Sequence, residues 1–168
     1  MRITAISAAV ALMVLSLSSS LMAQRPGDEI DPRSMVLLQQ GRAAQASGNI
    51  EGAQDALESA LALDPRNRDA FIVLAEISRG RGLPGKAIRL YREALALQAN
   101  DLAALRGQGE AMVAKGAIEK AKENLGKIQT ICKGQCNDAN MLAAAIAKGP
   151  PATATAQTGG ATPAPATP

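Results

Sequence analysis

The sequence predicts an all-α protein in which antiparallel helix pairs stack into a solenoid. Three observations lead to this fold class. Of the 168 residues 47% are hydrophobic, but one is Phe, one is Tyr and none is Trp, so the apolar residues are mainly Ala, Leu, Ile, Val and Met, a composition that favours packed helices. Similar residues recur every 34 positions. Gly, Asn and Pro separate the apolar stretches, as they do at helix ends.

Residues 1–23 have the layout of a secretory signal peptide. Arg2 supplies a positive charge, residues 3–17 form an apolar region, and the small residue Ala23 precedes the expected cleavage site. The apolar region is shorter than the ~20 residues that span a bilayer, which argues against the alternative of an uncleaved membrane anchor. We therefore expect a mature chain that begins at Gln24, is periplasmic or secreted, and has no stable membrane insertion.

A short leader, 24–33, precedes the repeats, which occupy the three units 34–67, 68–101 and 102–135. Residues of similar size occupy equivalent positions in the three units. The columns of small residues are Gly41, Ala75 and Gly109; Gly48, Gly82 and Gly116; and Ala53, Ala87 and Ala121. The columns of large residues are Leu37, Phe71 and Leu105; Leu57, Tyr91 and Leu125; and Leu63, Leu97 and Ile131. We interpret the two aromatic residues as core, because their columns are packing columns.

Each unit is expected to form two helices joined by a tight turn. In the first unit Leu37, Gly41 and Ala44 share one face of a helix. Gly48 then provides the turn, and Pro65 ends the second helix. Connections as short as these force neighbouring helices to run antiparallel.

This unit resembles the tetratricopeptide repeat, in which large apolar residues, Leu-Gly, Ala and Pro stand at fixed spacings. The matching residues are Leu37, Gln40, Gly41, Ala44, Ala53, Leu57 and Pro65 in the first copy, Phe71, Leu74, Ala75, Ser78, Ala87 and Tyr91 in the second, and Leu105, Gln108, Gly109, Met112, Ala121 and Leu125 in the third. Gln40 and Gln108 stand where Leu is usual, and Ala99 and Lys133 where Pro is usual. The resemblance implies a scaffold that holds a protein or peptide partner.

The resemblance also implies that one face of the first helices lines the binding groove. Residues of that face follow one another at spacings of 3, 4 and 3 along each helix. We predict that the groove is lined by Met35, Leu38, Arg42 and Gln45, then Asp69, Ile72, Glu76 and Arg79, then Ala103, Arg106, Glu110 and Val113, all outside the core. Family members that clamp a C-terminal carboxylate use Lys and Asn here, so Leu38 and Ile72 argue against a clamp. Apolar residues among charges of both signs favour an amphipathic helix or extended segment of a partner.

A solenoid needs a cap at its apolar end, and residues 136–148 are expected to supply one. The predicted helix covers 139–148, with Asn137 or Asp138 as its N-cap. Its apolar stripe is Met141, Leu142, Ala145 and Ile146. Residues 149–168 are mostly Pro, Ala, Thr and Gly without a charge, so we expect a disordered tail, with a spacer role as the functional alternative.

Cys132 and Cys136 lie in the turn before the capping helix. In an exported protein an even pair on such a turn predicts a disulfide. The alternative is a catalytic thiol-redox pair, but thioredoxin-type pairs enclose two residues rather than three, and no thioredoxin-like strand pattern surrounds this one. Covalent haem attachment would need a His at the position of Asn137.

Composition argues against catalysis and against nucleic-acid binding. The chain has no His, and two Cys cannot complete a tetrahedral metal site, so neither metal nor cofactor is expected. The net charge is +3 without a basic run, although the first unit holds two cations against four carboxylates and the third holds six against three. We interpret the protein as a non-enzymatic interaction scaffold or adaptor in the bacterial periplasm that supports assembly of an envelope complex. The alternatives are a redox or enzyme-associated module that uses Cys132 and Cys136, and a structural envelope protein anchored through its tail.

Overall fold

A computed structural model describes residues 29–133 and 136–151, and this part of the chain contains seven helices and no strand. The predicted signal peptide, most of the leader and the tail from residue 152 lie outside the described residues. The helices are α1 (Pro32–Ala46), α2 (Ile50–Leu63), α3 (Arg68–Gly80), α4 (Pro84–Leu97), α5 (Leu102–Ala114), α6 (Ile118–Cys132) and α7 (Asn137–Lys148). Three successive helix pairs pack in order, and α7 packs against both helices of the third pair, which confirms the predicted fold class.

The turns within the pairs explain the column of recurring glycines. Gly48, Gly82 and Gly116 have φ angles of 80°, 72° and 83°. Residues with a Cβ rarely adopt this conformation, so Gly is the residue that allows the chain to reverse between paired helices. The helix that follows the first turn is capped by Asn49, whose side-chain oxygen accepts a hydrogen bond from the Gly52 amide at 3.0 Å.

Helix α1 begins within the segment predicted as the leader. Its first residue is Pro32, so residues 32 and 33 belong to its first turn. Two local features explain the earlier start: the carboxylate of Asp31 accepts a hydrogen bond from the Arg33 amide at 2.8 Å, and Pro suits the first helical position because its missing N–H would have no partner there.

Small residues let the paired helices approach closely. A Cβ on Gly41 would lie 2.6 Å from Leu57 Cγ, so the second helix of the first pair rests directly on the backbone of the first. Ala53, Ala87 and Ala121, the predicted small column of the second helices, are each fully buried. Tyr91 is 1% exposed, which confirms its interpretation as core, and burial raises its pKa to about 12.

Gln108, a departure from the repeat pattern, is buried with a partner. Its side-chain oxygen accepts a hydrogen bond from Asn124 Nδ2 at 2.9 Å, and the same Asn124 group donates to the Leu105 carbonyl at 3.1 Å. In the second unit the equivalent positions hold Leu74 and Leu90. The third unit has therefore exchanged an apolar contact for a hydrogen-bonded polar pair, which avoids the cost of an unsatisfied buried amide.

Asp64 ties the start of the repeats to the end of the first unit. Its carboxylate accepts hydrogen bonds from the Asp31 amide at 2.9 Å, the Arg66 amide at 2.9 Å and Arg66 Nε at 3.0 Å. The guanidinium of Arg66 also donates to the Glu29 carbonyl at 3.1 Å. The Arg66 side chain, followed by the Asp31 amide, holds the pKa of Asp64 well below its usual range.

These contacts predict an acid-dependent loss of stability. A carboxylate with a depressed pKa in the folded state stabilises above its unfolded pKa, near 4, and this contribution disappears as the pH falls through the folded pKa. We expect Asp64→Asn to lower the urea midpoint at pH 7, and the gap to wild type to narrow steadily below about pH 4. Glu93→Gln, which changes an exposed carboxylate on α4, serves as the control and should leave the profile unchanged. A constant gap at all pH values would contradict the role of Asp64.

The capping helix starts two residues earlier than predicted. Its N-cap is Cys136, which makes no side-chain capping bond, and Asn137 and Asp138 lie inside the first turn rather than capping it. The reason is the bond to the preceding helix: the Sγ atoms of Cys132 and Cys136 lie 2.23 Å apart, which is disulfide distance, so Cys136 is held where α7 begins.

If Cys132 and Cys136 form a disulfide, adding a reductant should lower the free energy of unfolding. Closing so small a loop contributes about 2 kcal/mol on the chain-entropy account. Cys132→Ser should therefore lower the free energy of unfolding by about that amount, as measured by urea denaturation without reductant. Added reductant should bring wild type down to the variant and leave the variant unchanged. Equal stabilities under oxidising conditions would contradict a stabilising disulfide.

Candidate functional site: the face of the first helices

The predicted groove residues occupy three different environments. Met35 and Arg42 are exposed, as is Ala103. Leu38 and Val113 are buried, with 0% and 5% exposure. The remaining positions are half-buried, and they are Gln45, Asp69, Ile72, Glu76, Arg79, Arg106 and Glu110. The stripe is therefore a partly buried surface, in which only some side chains are available to a ligand.

The prediction that all these residues lie outside the core is wrong for Leu38 and for Val113, which are both buried. Leu38 belongs to an apolar cluster that includes Ala70, Val73, Leu74 and Ile77 of α3. The physical reason is that α1 packs against α3 as well as against α2, so this position faces the neighbouring unit. In the third unit Arg106 holds the equivalent position and reaches into the surface charge network instead.

Ion pairs connect each first helix to the next one. Arg42 of α1 pairs with Asp69 of α3 at 2.8 Å, Arg79 of α3 pairs with Glu110 of α5, and Arg106 of α5 pairs with Asp138 of α7 at 2.8 Å. We call these three pairs the ion-pair ladder. Because the pairs are partly exposed, each contributes about 0.2–1 kcal/mol. The charges that the sequence offered for ligand binding thus largely neutralise one another.

Glu76 lies at the centre of this face and is the exception. Within the described residues its carboxylate makes no hydrogen bond and no ion pair. Burial raises its pKa, and the nearby Arg79, Arg106 and Arg42 act in the opposite direction without contacting it. Beside it, Arg79 Nε is buried and makes no hydrogen bond. The middle of the face therefore keeps one carboxylate without a protein partner and one buried donor atom unsatisfied.

A cavity of about 560 Å³ opens at the end of the ladder, between α5 and the capping helix. We call it the C-terminal cleft. Its polar wall is formed by Arg79, Arg106 and Glu110, and Val113 forms part of its floor. The capping helix and the chain that follows it complete the lining with Met141, Ala145, Lys148, Gly149, Pro150 and Pro151.

The apolar residues of the capping helix face two different surfaces: some pack in the core and others line the C-terminal cleft. Leu142 is fully buried, and its Cδ1 would lie 2.7 Å from a Cβ on Gly109. Met141 is 44% exposed and faces the cleft, and Lys148 is exposed without an ion pair among the described residues. Met141 and Lys148 are not among the predicted groove residues. Adjacent residues on a helix point about 100° apart, so Met141 and Leu142 cannot both face the same neighbour.

A second cavity, of about 570 Å³, lies at the opposite end of the face. Met35 and Asp69 of the predicted groove line it, together with Ile30, Arg68 and Leu97. Arg68 is committed to ion pairs with Asp69 and Asp101, the latter at 3.1 Å. This cavity therefore has fewer unpaired groups to offer a ligand than the C-terminal cleft.

Two further findings concern the part of the chain that the structure describes. No group of three or more potential metal ligands comes together in it. None of its helices combines the length and the apolar character needed to cross a bilayer.

Comparison with known proteins places the fold. No protein-family model matches the chain. A cellulose synthase operon protein C from Xanthomonas axonopodis pv. citri (strain 306) is 41% identical over 61 residues, which are 36% of this chain and only 4% of that protein. The first tetratricopeptide domain of Spaghetti (RPAP3), solved with an HSP90 peptide, superposes with a TM-score of 0.64 and 21% identity over 73% of this chain and 97% of that one. The Sgt2 tetratricopeptide domain from Aspergillus fumigatus gives a TM-score of 0.63 and 23% identity over 82% of this chain and 89% of that one.

The structural similarities extend over whole tetratricopeptide domains and agree with the helix pairs, the glycine turns and the close Gly–Leu contacts described above. The chain has the tetratricopeptide-repeat fold, with three repeats followed by a capping helix.

Proposed function

We propose that this chain is a non-enzymatic scaffold that binds a segment of another protein in the C-terminal cleft. The observation that carries the proposal is the exposed apolar side of the capping helix: Met141 is 44% exposed while it lines a cavity large enough for several side chains. An apolar side chain that projects into a cleft is available for burial by a ligand, and central buried contacts supply most of the binding energy at interfaces.

The charges around the cleft indicate what the segment carries. Arg79 and Arg106 are paired with Glu110 and Asp138, whereas Lys148 has no ion pair in the described residues. The segment therefore presents apolar residues to Met141 and one carboxylate to Lys148, either as an amphipathic helix or in an extended conformation. The face does not suit a clamp for a C-terminal carboxylate, because Ile72 and Glu76 occupy its middle.

The proposed setting is the bacterial periplasm, where the scaffold supports assembly of an envelope complex. The signal-peptide layout of residues 1–23 and the pair formed by Cys132 and Cys136 support this setting. The tetratricopeptide neighbours include domains solved with bound peptides, and the similarity to a bacterial cellulose synthase operon protein is consistent with a bacterial scaffold.

Site-specific photo-crosslinking in intact cells tests the proposal. A photoreactive residue placed at Met141 should crosslink to a defined partner protein, whereas the same residue at Val36, which is 57% exposed but lines none of the described cavities, should not. With the purified partner, Met141→Asp should raise Kd at least about tenfold and Val36→Asp should leave it nearly unchanged. A partner that crosslinks from Val36 but not from Met141 would place binding elsewhere.

A further inference from the structure

Two surfaces of opposite charge lie on or beside the second helices, one on the first unit and one between the second and third units. On the first unit, Glu51, Asp55 and Glu58 follow at spacings of four and three on α2, so their side chains share one stripe. All three are exposed, and α2 contains no Lys or Arg. The one ion pair in this stripe is a loose one, between Glu58 and Lys86 Nζ at 4.0 Å. We call these three residues the acidic stripe.

The opposite surface is a cavity of about 580 Å³ between α4, α5 and α6. Four of its lining residues are cations and one, Glu123, is an anion. The cations are Arg92, Lys115, Lys120 and Lys127, all exposed. None of the four makes an ion pair within residues 29–133 and 136–151. Ile88 and Met112 supply an apolar floor, and we call this cavity the basic furrow.

This lack of pairing contrasts with the other face of the molecule. On the first helices most charges are neutralised by the ion-pair ladder, whereas the four cations of the basic furrow, and Glu51 and Asp55 of the acidic stripe, make no ion pair among the described residues. Clustering of like charges destabilises an isolated helix surface, since each residue repels its neighbours. The repulsion is relieved when a surface of opposite sign covers the cluster.

We propose that two copies of this chain associate antiparallel through their second helices, with the acidic stripe of each copy in the basic furrow of the other. Charge complementarity favours a second copy of the chain as the partner, because the stripe carries three negative charges and the furrow carries three more cations than anions. The stripe lies on α2 and the furrow lies between α4, α5 and α6, so a two-fold axis near α4 would bring each surface into contact with its complement. Such a closed arrangement makes every contact twice and leaves neither surface open.

The association is independent of the C-terminal cleft, because the cleft between α5 and the capping helix and the basic furrow share no lining residue. It therefore leaves the proposed binding face free. A dimer of this kind carries two clefts, and a partner that carries two binding segments would gain avidity from it.

Sedimentation velocity on the purified protein tests the proposal. We expect a dimer at low salt whose Kd rises at least about tenfold between roughly 20 and 300 mM NaCl, because screening weakens exposed charge pairs. Asp55→Lys should shift the protein to monomer, whereas Gln39→Lys, which adds a positive charge at an exposed residue of the first helix α1, should not. A wild-type protein that stays monomeric at low salt and high concentration overturns the proposal.

A charge-reversal experiment tests whether the dimer forms through these two surfaces and not through another part of the molecule. The acid-reversed variant carries Glu51→Lys, Asp55→Lys and Glu58→Lys, and the base-reversed variant carries the set Arg92→Glu, Lys120→Glu and Lys127→Glu. Each variant alone should be monomeric with the circular dichroism of wild type, because like charges then face each other. Their equimolar mixture should form the dimer again. Dimers of either variant alone, or a mixture that stays monomeric, would overturn the proposal, and binding of an acidic peptide by a monomeric wild type would assign the furrow to another protein.

Discussion

Gly107→Leu should lower the free energy of unfolding by at least about 3 kcal/mol, although leucine is the better helix former. A Cβ at this position of α5 would lie 2.7 Å from Tyr91 Cε1 and would also overlap Cζ and Oη of the same ring. The ring is rigid and 1% exposed, so it has no free space to move into. The expected loss is measured by urea denaturation, with circular dichroism as the signal.

Gly126→Leu is the matched control, because it places the same side chain in the middle of a helix where no atom lies within 4 Å. This variant should be as stable as wild type or slightly more stable, by a few tenths of a kcal/mol up to about 1 kcal/mol. Adding Tyr91→Ala to Gly107→Leu should give a double variant less destabilised than the sum of the single changes. Strict additivity would mean that the two residues do not oppose each other across the helix interface.

The pairing of Tyr91 with Gly107 shows what the sequence leaves implicit. The period of 34 residues predicts which positions pack. It does not show that a large residue at one repeat position, Tyr91, is accommodated by a small residue at a different repeat position, Gly107. One repeat earlier, the equivalent residues are Leu57 of the first unit and Val73 of the second, which share one core cluster. Both pairs are separated by 16 residues in the sequence. Which residues lie opposite each other at this separation can be identified only when the packing of the helices is known.

The same offset of 16 residues joins Gly41 with Leu57 and Gln108 with Asn124. Gln108 looked like a departure from the repeat when its column was considered alone. Its compensation is on the other helix of the pair, where Asn124 replaces a residue that is Leu90 in the second unit. The helices and their order could be predicted from the sequence, because the periodicity and the turn residues determine them locally. The contacts between helices could not.

The candidate site was less predictable than the fold. The stripe on the first helices was identified by spacing, but spacing does not show that Arg79 would be neutralised by Glu110 across two helices. Nor does it show that the chain after α7 would close a cleft with Pro150 and Pro151. Exposure along the stripe depends on how far each helix is covered by the next unit, and this is a property of the packed solenoid.

Leu38→Asp should unfold the protein or lower its stability by more than about 4 kcal/mol. Leu38 is fully buried in an apolar cluster formed with residues of α2 and α3, so a carboxylate there would lose its hydration in an apolar environment. Leu38→Ala, which only removes volume, should cost about 2–5 kcal/mol and gives a milder variant for equilibrium measurement. Val36→Asp, two residues earlier on the same helix and 57% exposed, should stay within about 0.5 kcal/mol of wild type.

The outcome decides how binding experiments on this face are interpreted. If Leu38→Asp melts or unfolds while Val36→Asp does not, loss of partner binding in the Leu38 variant reports unfolding, and Met141 in the cleft is the residue that reports contact. If Leu38→Asp instead keeps the wild-type melting temperature, the side chain faces solvent as the stripe spacing predicted. The packing of α1 on α3 would then be wrong, and the binding surface would extend over the first helix as well.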